Sequence, residues 1–185
     1  MKSSKLSGRY AKALHLFALE ENQEESVYQD ILFVRSVFKE NRELNVVIES
    51  PIIVADKKYR IFEELFNGKI SEITAKFLRL IIKKRREPAL MAIFENFIQC
   101  YYDHHHIKSA TLTTATQLQP ALLNEIKAML EEQTKSTILL NELIDEKIIG
   151  GVMVKVDDFF FDASIIGKIN KLKTEFSQNL YQTNF

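Results

Sequence analysis

The chain has 185 residues, 46% of them hydrophobic and 27% charged, which is enough for one large or two small buried cores and excludes disorder as its main state. Its 25 basic and 25 acidic side chains cancel, so no overall field draws it to nucleic acid or to an anionic membrane. One cysteine, Cys100, allows no internal disulfide and no cysteine-based metal site, and five glycines with three prolines argue against glycine-rich nucleotide cradles.

The first residues carry Lys2, Lys5 and Arg9 among serines, and no apolar run of ~7–15 residues follows that could act as a signal-peptide core. A start directly at Met1, without a transit-length extension, favours a bacterial source. No window approaches the ~20 apolar residues needed to cross a bilayer, so any membrane role is that of a peripheral subunit.

Helices are expected near 7–22, 26–40, 42–49, 56–67, 71–85 and 88–105. Tyr10, Leu14, Phe17 and Ala18 recur at helical spacing, as do Val27, Ile31, Val34 and Phe38, and later Ile73, Phe77, Leu80 and Ile81. Each stripe reads as core. Pro51 and Pro88 are expected in first helical turns, and Asn67-Gly68 as a left-handed helix end. Short links between such helices imply a compact bundle.

After His106 the pattern changes. Ile107–Ala115 is rich in threonine and loosely alternating, which predicts a strand. Pro120–Gln133 reads as a helix with Leu122, Leu123, Ile126, Met129 and Leu130 on its buried side. Thr137–Leu143, Gly151–Val156 and Phe159–Phe161 read as strands, the last two joined by a turn at Asp157-Asp158, and Ile165–Tyr181 as a closing helix. The fold class is therefore mainly α: an N-terminal six-helix bundle over 1–106, followed by a small α+β domain over 107–185. Charge divides similarly, with 18 basic and 15 acidic residues in 1–108 against 7 and 10 in 109–185.

Candidate chemistry is sparse. His104, His105 and His106 are consecutive, so on a helix they point about 100° apart and cannot converge on one metal. They read as a solvated helix end, and His15 has no partner near it in sequence. The run Lys83-Lys84-Arg85-Arg86 is the densest basic stretch and the basis of an alternative reading as a helical RNA-binding adaptor, but it has no aromatic platform beside it. Gly150-Gly151 lacks the remainder of a phosphate loop. Asp157, Asp158, Asp162 and Ser164 do not follow calcium-loop spacing. No catalytic triad or paired-carboxylate pattern stands out. The reading is of a non-enzyme with no cofactor and no metal.

Particular strings carry more. Gly8-Arg9-Tyr10-Ala11-Lys12-Ala13-Leu14 resembles the opening of the delta subunit of F-type ATP synthases, the relative of the mitochondrial oligomycin-sensitivity-conferring protein. Phe77–Arg86 is similar to that family's fifth-helix pattern, with Lys84 in place of the usual Asn. The strongest likeness is Asp145–Val156, with its Ile149-Gly150-Gly151, followed by Phe161-Asp162-Ala163-Ser164-Ile165-Ile166-Gly167-Lys168-Ile169, with Ala163 for the usual Gly. The resemblance spans the chain in order.

It implies a non-catalytic subunit of the peripheral stalk. The helical domain would bind N-terminal segments of the alpha subunits, and the C-terminal domain the ends of the b subunits, with no nucleic acid and no small-molecule substrate. The location would be the cytoplasmic face of the bacterial inner membrane, reached only through the complex. The alpha-subunit interface carried over is Tyr10, Ala13, Leu14 and Phe17 with Phe77, Leu80, Ile81 and Lys84. The b-subunit contacts are assigned to Lys168 and Leu172 on the final helix, while Gly150, Gly151, Asp162 and Ser164 are expected to shape the backbone.

Overall fold

The structure, a computed structural model, describes residues 2–156 and 159–179. It is mainly helical and divides into two compact units, Met1–His104 and His105–Phe185. The expected turn at Asp157-Asp158 and the final residues through Tyr181 lie outside the described residues.

The first unit contains α1 (Lys2–Glu20), α2 (Glu24–Glu40), α3 (Arg42–Glu49), α4 (Ala55–Phe66), α5 (Glu72–Lys83) and α6 (Leu90–His104). The α2 stripe Val27, Ile31, Val34 and Phe38 is buried as its spacing requires. On α1 the expected stripe is split. Ser7, Ala11, Leu14 and Ala18 are buried, and α1 lies along α6; small side chains on that face let two helices approach closely. Tyr10 is only half-buried and Phe17 is exposed.

Polar contacts fix how the helices meet. The Asp30 carboxylate accepts from the Ser71 backbone N–H at 2.7 Å, while Ser71 Oγ accepts from the Thr74 N–H at 3.3 Å and so caps α5. Tyr28 on α2 stacks on Tyr101 of α6 with ring centroids 3.9 Å apart. Pro88 stands in a short 3₁₀ turn, Glu87–Ala89, that leads into α6. Pro51 departs from expectation: it lies in the turn after α3 and α4 begins only at Ala55, so it ends one helix rather than starting the next. Gly68 takes φ +72°, the left-handed conformation expected of it.

The second unit contains β1 (Ile107–Thr114), α7 (Pro120–Thr134), β2 (Thr137–Ile144), β3 (Val152–Val156), β4 (Phe159–Asp162) and α8 (Ile165–Asn179). The sheet order is β2-β1-β3-β4. β1 and β2 are parallel, as the α7 crossover between them requires, and the other pairings are antiparallel. Ala110, Leu112, Ile138, Val154 and Val156 form its core, with Leu123, Ile126 and Leu130 of α7 packed against them. Leu122 and Met129, expected on the buried side, are exposed. A helix lying on one face of a small sheet packs only a narrow stripe against it, here half-buried and spaced three and four apart, and the flanking residues stay outside.

Candidate functional site

α1 and α5 enclose an apolar groove of about 480 Å³ on the helical unit. Tyr10, Ala13, Leu14 and Phe17 line one wall, and Ile73, Lys76, Phe77 and Leu80 the other. Both sets repeat at intervals of three and four, so each helix presents one continuous strip. Leu14, Ile73 and Phe77 are buried and form the floor, whereas Ala13, Phe17 and Leu80 are exposed, the last two by 45% and 41%. The charged residues among the lining are both cations, Arg9 and Lys76, the latter also paired with Glu72 at 2.8 Å. An open apolar channel walled by two helices suits the apolar face of an amphipathic helix rather than a small polar substrate.

Six of the eight residues assigned to the alpha-subunit interface thus line one groove. Ile81 does not, being 1% exposed and part of the core. Lys84 caps the C-terminus of α5 and lies outside the lining. The basic run turns a corner rather than extending a helical face. Arg85 takes φ +53°, its N–H bonding to Ile82 O and that of Arg86 to Ile81 O, which closes α5. Those cations sit where a helix dipole favours positive charge.

The second unit exposes a different apolar surface. Ile165, Ile169, Leu172 and Phe176 follow one another at spacings of four, three and four along α8, and each is exposed by 41% or more. Leu172 is the member of this stripe expected from the sequence, and the four-three-four period of the other three is the signal that places them beside it. Lys168 is exposed on the same helix.

The Gly150–Ser164 region sets where α8 starts. Gly151 takes φ +81°, and a Cβ there would overlap the Ala163 carbonyl oxygen. The Ala163 N–H bonds to Val152 O at 2.9 Å and that of Ile165 to Gly150 O at 2.9 Å, tying the end of β4 to the start of β3. Ser164 is fully buried and its Oγ accepts from the Gly167 N–H at 3.0 Å, capping α8. Asp162 Oδ1 accepts from the Ser164 N–H at 2.8 Å, and hydrogen bonds from the Ser164 side chain and backbone hold its carboxyl below the ordinary carboxylate value. These residues shape the backbone, and nothing in their geometry activates a nucleophile. Burial likewise pushes the Cys100 thiol up, away from the reactive thiolate. No helix among the described residues is long and apolar enough to cross a membrane.

Residues 6–176 match the family model described as ATP synthase delta (OSCP) subunit. The chain is 37% identical over 180 residues to ATP synthase subunit delta of Cytophaga hutchinsonii, covering 97% of this chain and 98% of that one. It is 33% identical over 174 residues to ATP synthase subunit delta of Chlorobaculum parvum, with 94% and 96% covered. Its fold is shared with a chain of the cryo-EM structure of the Toxoplasma gondii mitochondrial ATP synthase hexamer, at TM-score 0.72 and 22% identity over 92% of this chain and 97% of that one. The RNA-binding alternative receives no support from these relatives.

Proposed function

This chain belongs to the ATP synthase delta (OSCP) subunit family, and from that premise we propose that it is a non-catalytic stator subunit of the peripheral stalk. The first unit holds N-terminal segments of alpha subunits, the second holds the ends of b subunits, and the chain connects the catalytic head to the membrane-anchored stalk. Its task is mechanical. While proton flow turns the rotor, the head must be kept from turning with it, and a connector under torque needs tight interfaces rather than a reactive pocket.

The observation that carries this reading is the α1/α5 groove, because residues assigned from the first- and fifth-helix motifs converge in it. An amphipathic helix laid there would bury Phe17 and Leu80 and approach α1 closely over Ala13. A nanomolar complex needs about −12 kcal/mol, which an interface of roughly 1,600 Å² supplies when a few apolar anchors are well buried. The α8 stripe is the corresponding surface for the b subunits. Binding at two sites through one chain also gains from effective concentration.

Affinity isolation of the tagged chain from native membranes tests this. Alpha and b subunits are expected to co-purify with it; recovery of the chain without them overturns the proposal.

A further inference from the structure

We propose that His15, Glu24 and His104 form a binding site for a divalent zinc-type cation that clamps α1, α2 and α6 together. The residues are distant in sequence and are assembled by the fold. α1 ends in a turn in which Asn22 takes φ +52° and the Gln23 N–H bonds back to Ala18 O at 2.9 Å, so α2 starts by returning toward α1. Glu24, in the first turn of α2, is thereby brought to His15, while His104 arrives as the last residue of α6.

The geometry is that of a ligand set. Glu24 Oε1 lies 3.4 Å from His15 Nδ1 and 3.3 Å from His104 Nδ1, and one ligand atom from each of the three lies within 4.8 Å of the others. In a tetrahedral site with metal–ligand bonds of about 2.0–2.1 Å, neighbouring ligand atoms stand ~3.3 Å apart. Two edges of that tetrahedron are therefore already in place. Two imidazoles and one carboxylate suit zinc, cobalt or nickel, whereas calcium and magnesium need shells made mainly of oxygen. Three protein ligands leave a fourth position for water.

The surroundings hold the ligands in position. The His15 and Glu24 side chains are only 9% and 11% exposed, and the His15 ring meets Phe97 edge-on at 6.1 Å, so packing fixes both. The His104 side chain is 48% exposed and gives the ion a way in. A bound cation would add a cross-link between the start of the first unit and its last helix, and would stabilise the folded form by mass action.

The test uses the full chain, stripped with a chelator and titrated with Co²⁺ and then Zn²⁺. One Co²⁺ per chain with the visible absorption of a four-coordinate site is expected, together with displacement by Zn²⁺ and a raised Tm. Half-exposed His104 can be changed without opening the core, so His104→Ala should retain wild-type helicity while weakening binding by at least about tenfold. Glu24→Gln should do the same, and the paired change His105→Ala with His106→Ala should leave binding intact. Equal affinity in His104→Ala, or loss of binding only in the His105 and His106 variant, would mean an adventitious surface ion and would overturn the proposal. So would the absence of binding in the wild-type chain.

Discussion

Lys58 and Glu87, on α4 and on the 3₁₀ turn before α6, form an ion pair at 2.8 Å with side chains only 5% and 6% exposed. Removing one partner leaves a buried charge uncompensated, which costs about 3–5 kcal/mol, whereas replacing both with apolar groups of similar size is often close to neutral. Lys58→Met should therefore lower the urea midpoint strongly, and Lys58→Met with Glu87→Leu should recover most of the loss. If the double variant is no more stable than the single one, the pair does not act as a unit.

Ala13 lies exposed in the α1/α5 groove, where its small side chain leaves room for a partner backbone. Ala13→Asp places an unpaired carboxylate in an apolar channel without touching the core. Binding to alpha-subunit N-terminal segments should weaken by about 2 kcal/mol or more, roughly thirtyfold, with helicity and Tm near wild type. Titration calorimetry alongside circular dichroism reads both quantities, and unchanged affinity in a folded variant would move the interface elsewhere.

Gly151 is required both by its φ of +81° and by the Ala163 carbonyl that faces it. Gly151→Ala should destabilise the second unit by about 1–3 kcal/mol from backbone strain alone, with the overlap adding to that. The loss should appear as reduced hydrogen-exchange protection in β3, while α2 and α6 exchange as before. Protection of β3 equal to that of wild type would show that the turn relaxes freely.

Asp162 contributes in a defined pH range. Hydrogen bonds from Ser164 lower its pKa in the folded chain, so its contribution is fully present above the ordinary carboxylate value of ~4 and is lost as pH falls through the lower folded value. The stability difference between wild type and Asp162→Asn should accordingly be largest at neutral pH and shrink in acid. A difference independent of pH would assign the effect to shape rather than charge.

The α8 stripe offers its apolar side chains to solvent in the isolated chain. Leu172→Glu should change the unfolding free energy by no more than about 0.5 kcal/mol, as surface substitutions generally do. The same change should abolish capture by b subunits, as should truncation at Asn170. Full capture by either variant would place the b-subunit contacts elsewhere.

What the sequence determined by itself was whatever depends on local period and on residue chemistry. The buried α2 stripe from Val27 to Phe38, the change from helix to strands after His106 and the turn at Gly151 follow from spacing, β-propensity and backbone freedom. The motifs also carried the family, through the strings at 8–14 and 77–86 and, most distinctively, at 145–156 and 161–169. Tertiary structure alone decided which side of an apolar helix faces in. α1 has apolar residues on more than one face, so period could not separate the buried Ala11 and Ala18 from the exposed Phe17; the approach of α6 did that. It also decided that Ile81 belongs to the core and Leu80 to the groove, although they are adjacent on α5. His15 and His104 show the same limit most plainly: eighty-nine positions apart in the chain, they meet at Glu24 only because a left-handed turn at Asn22 folds α2 back and α6 ends beside it. Neither periodicity nor composition encodes a meeting of side chains from three helices, which is set by how the whole bundle packs.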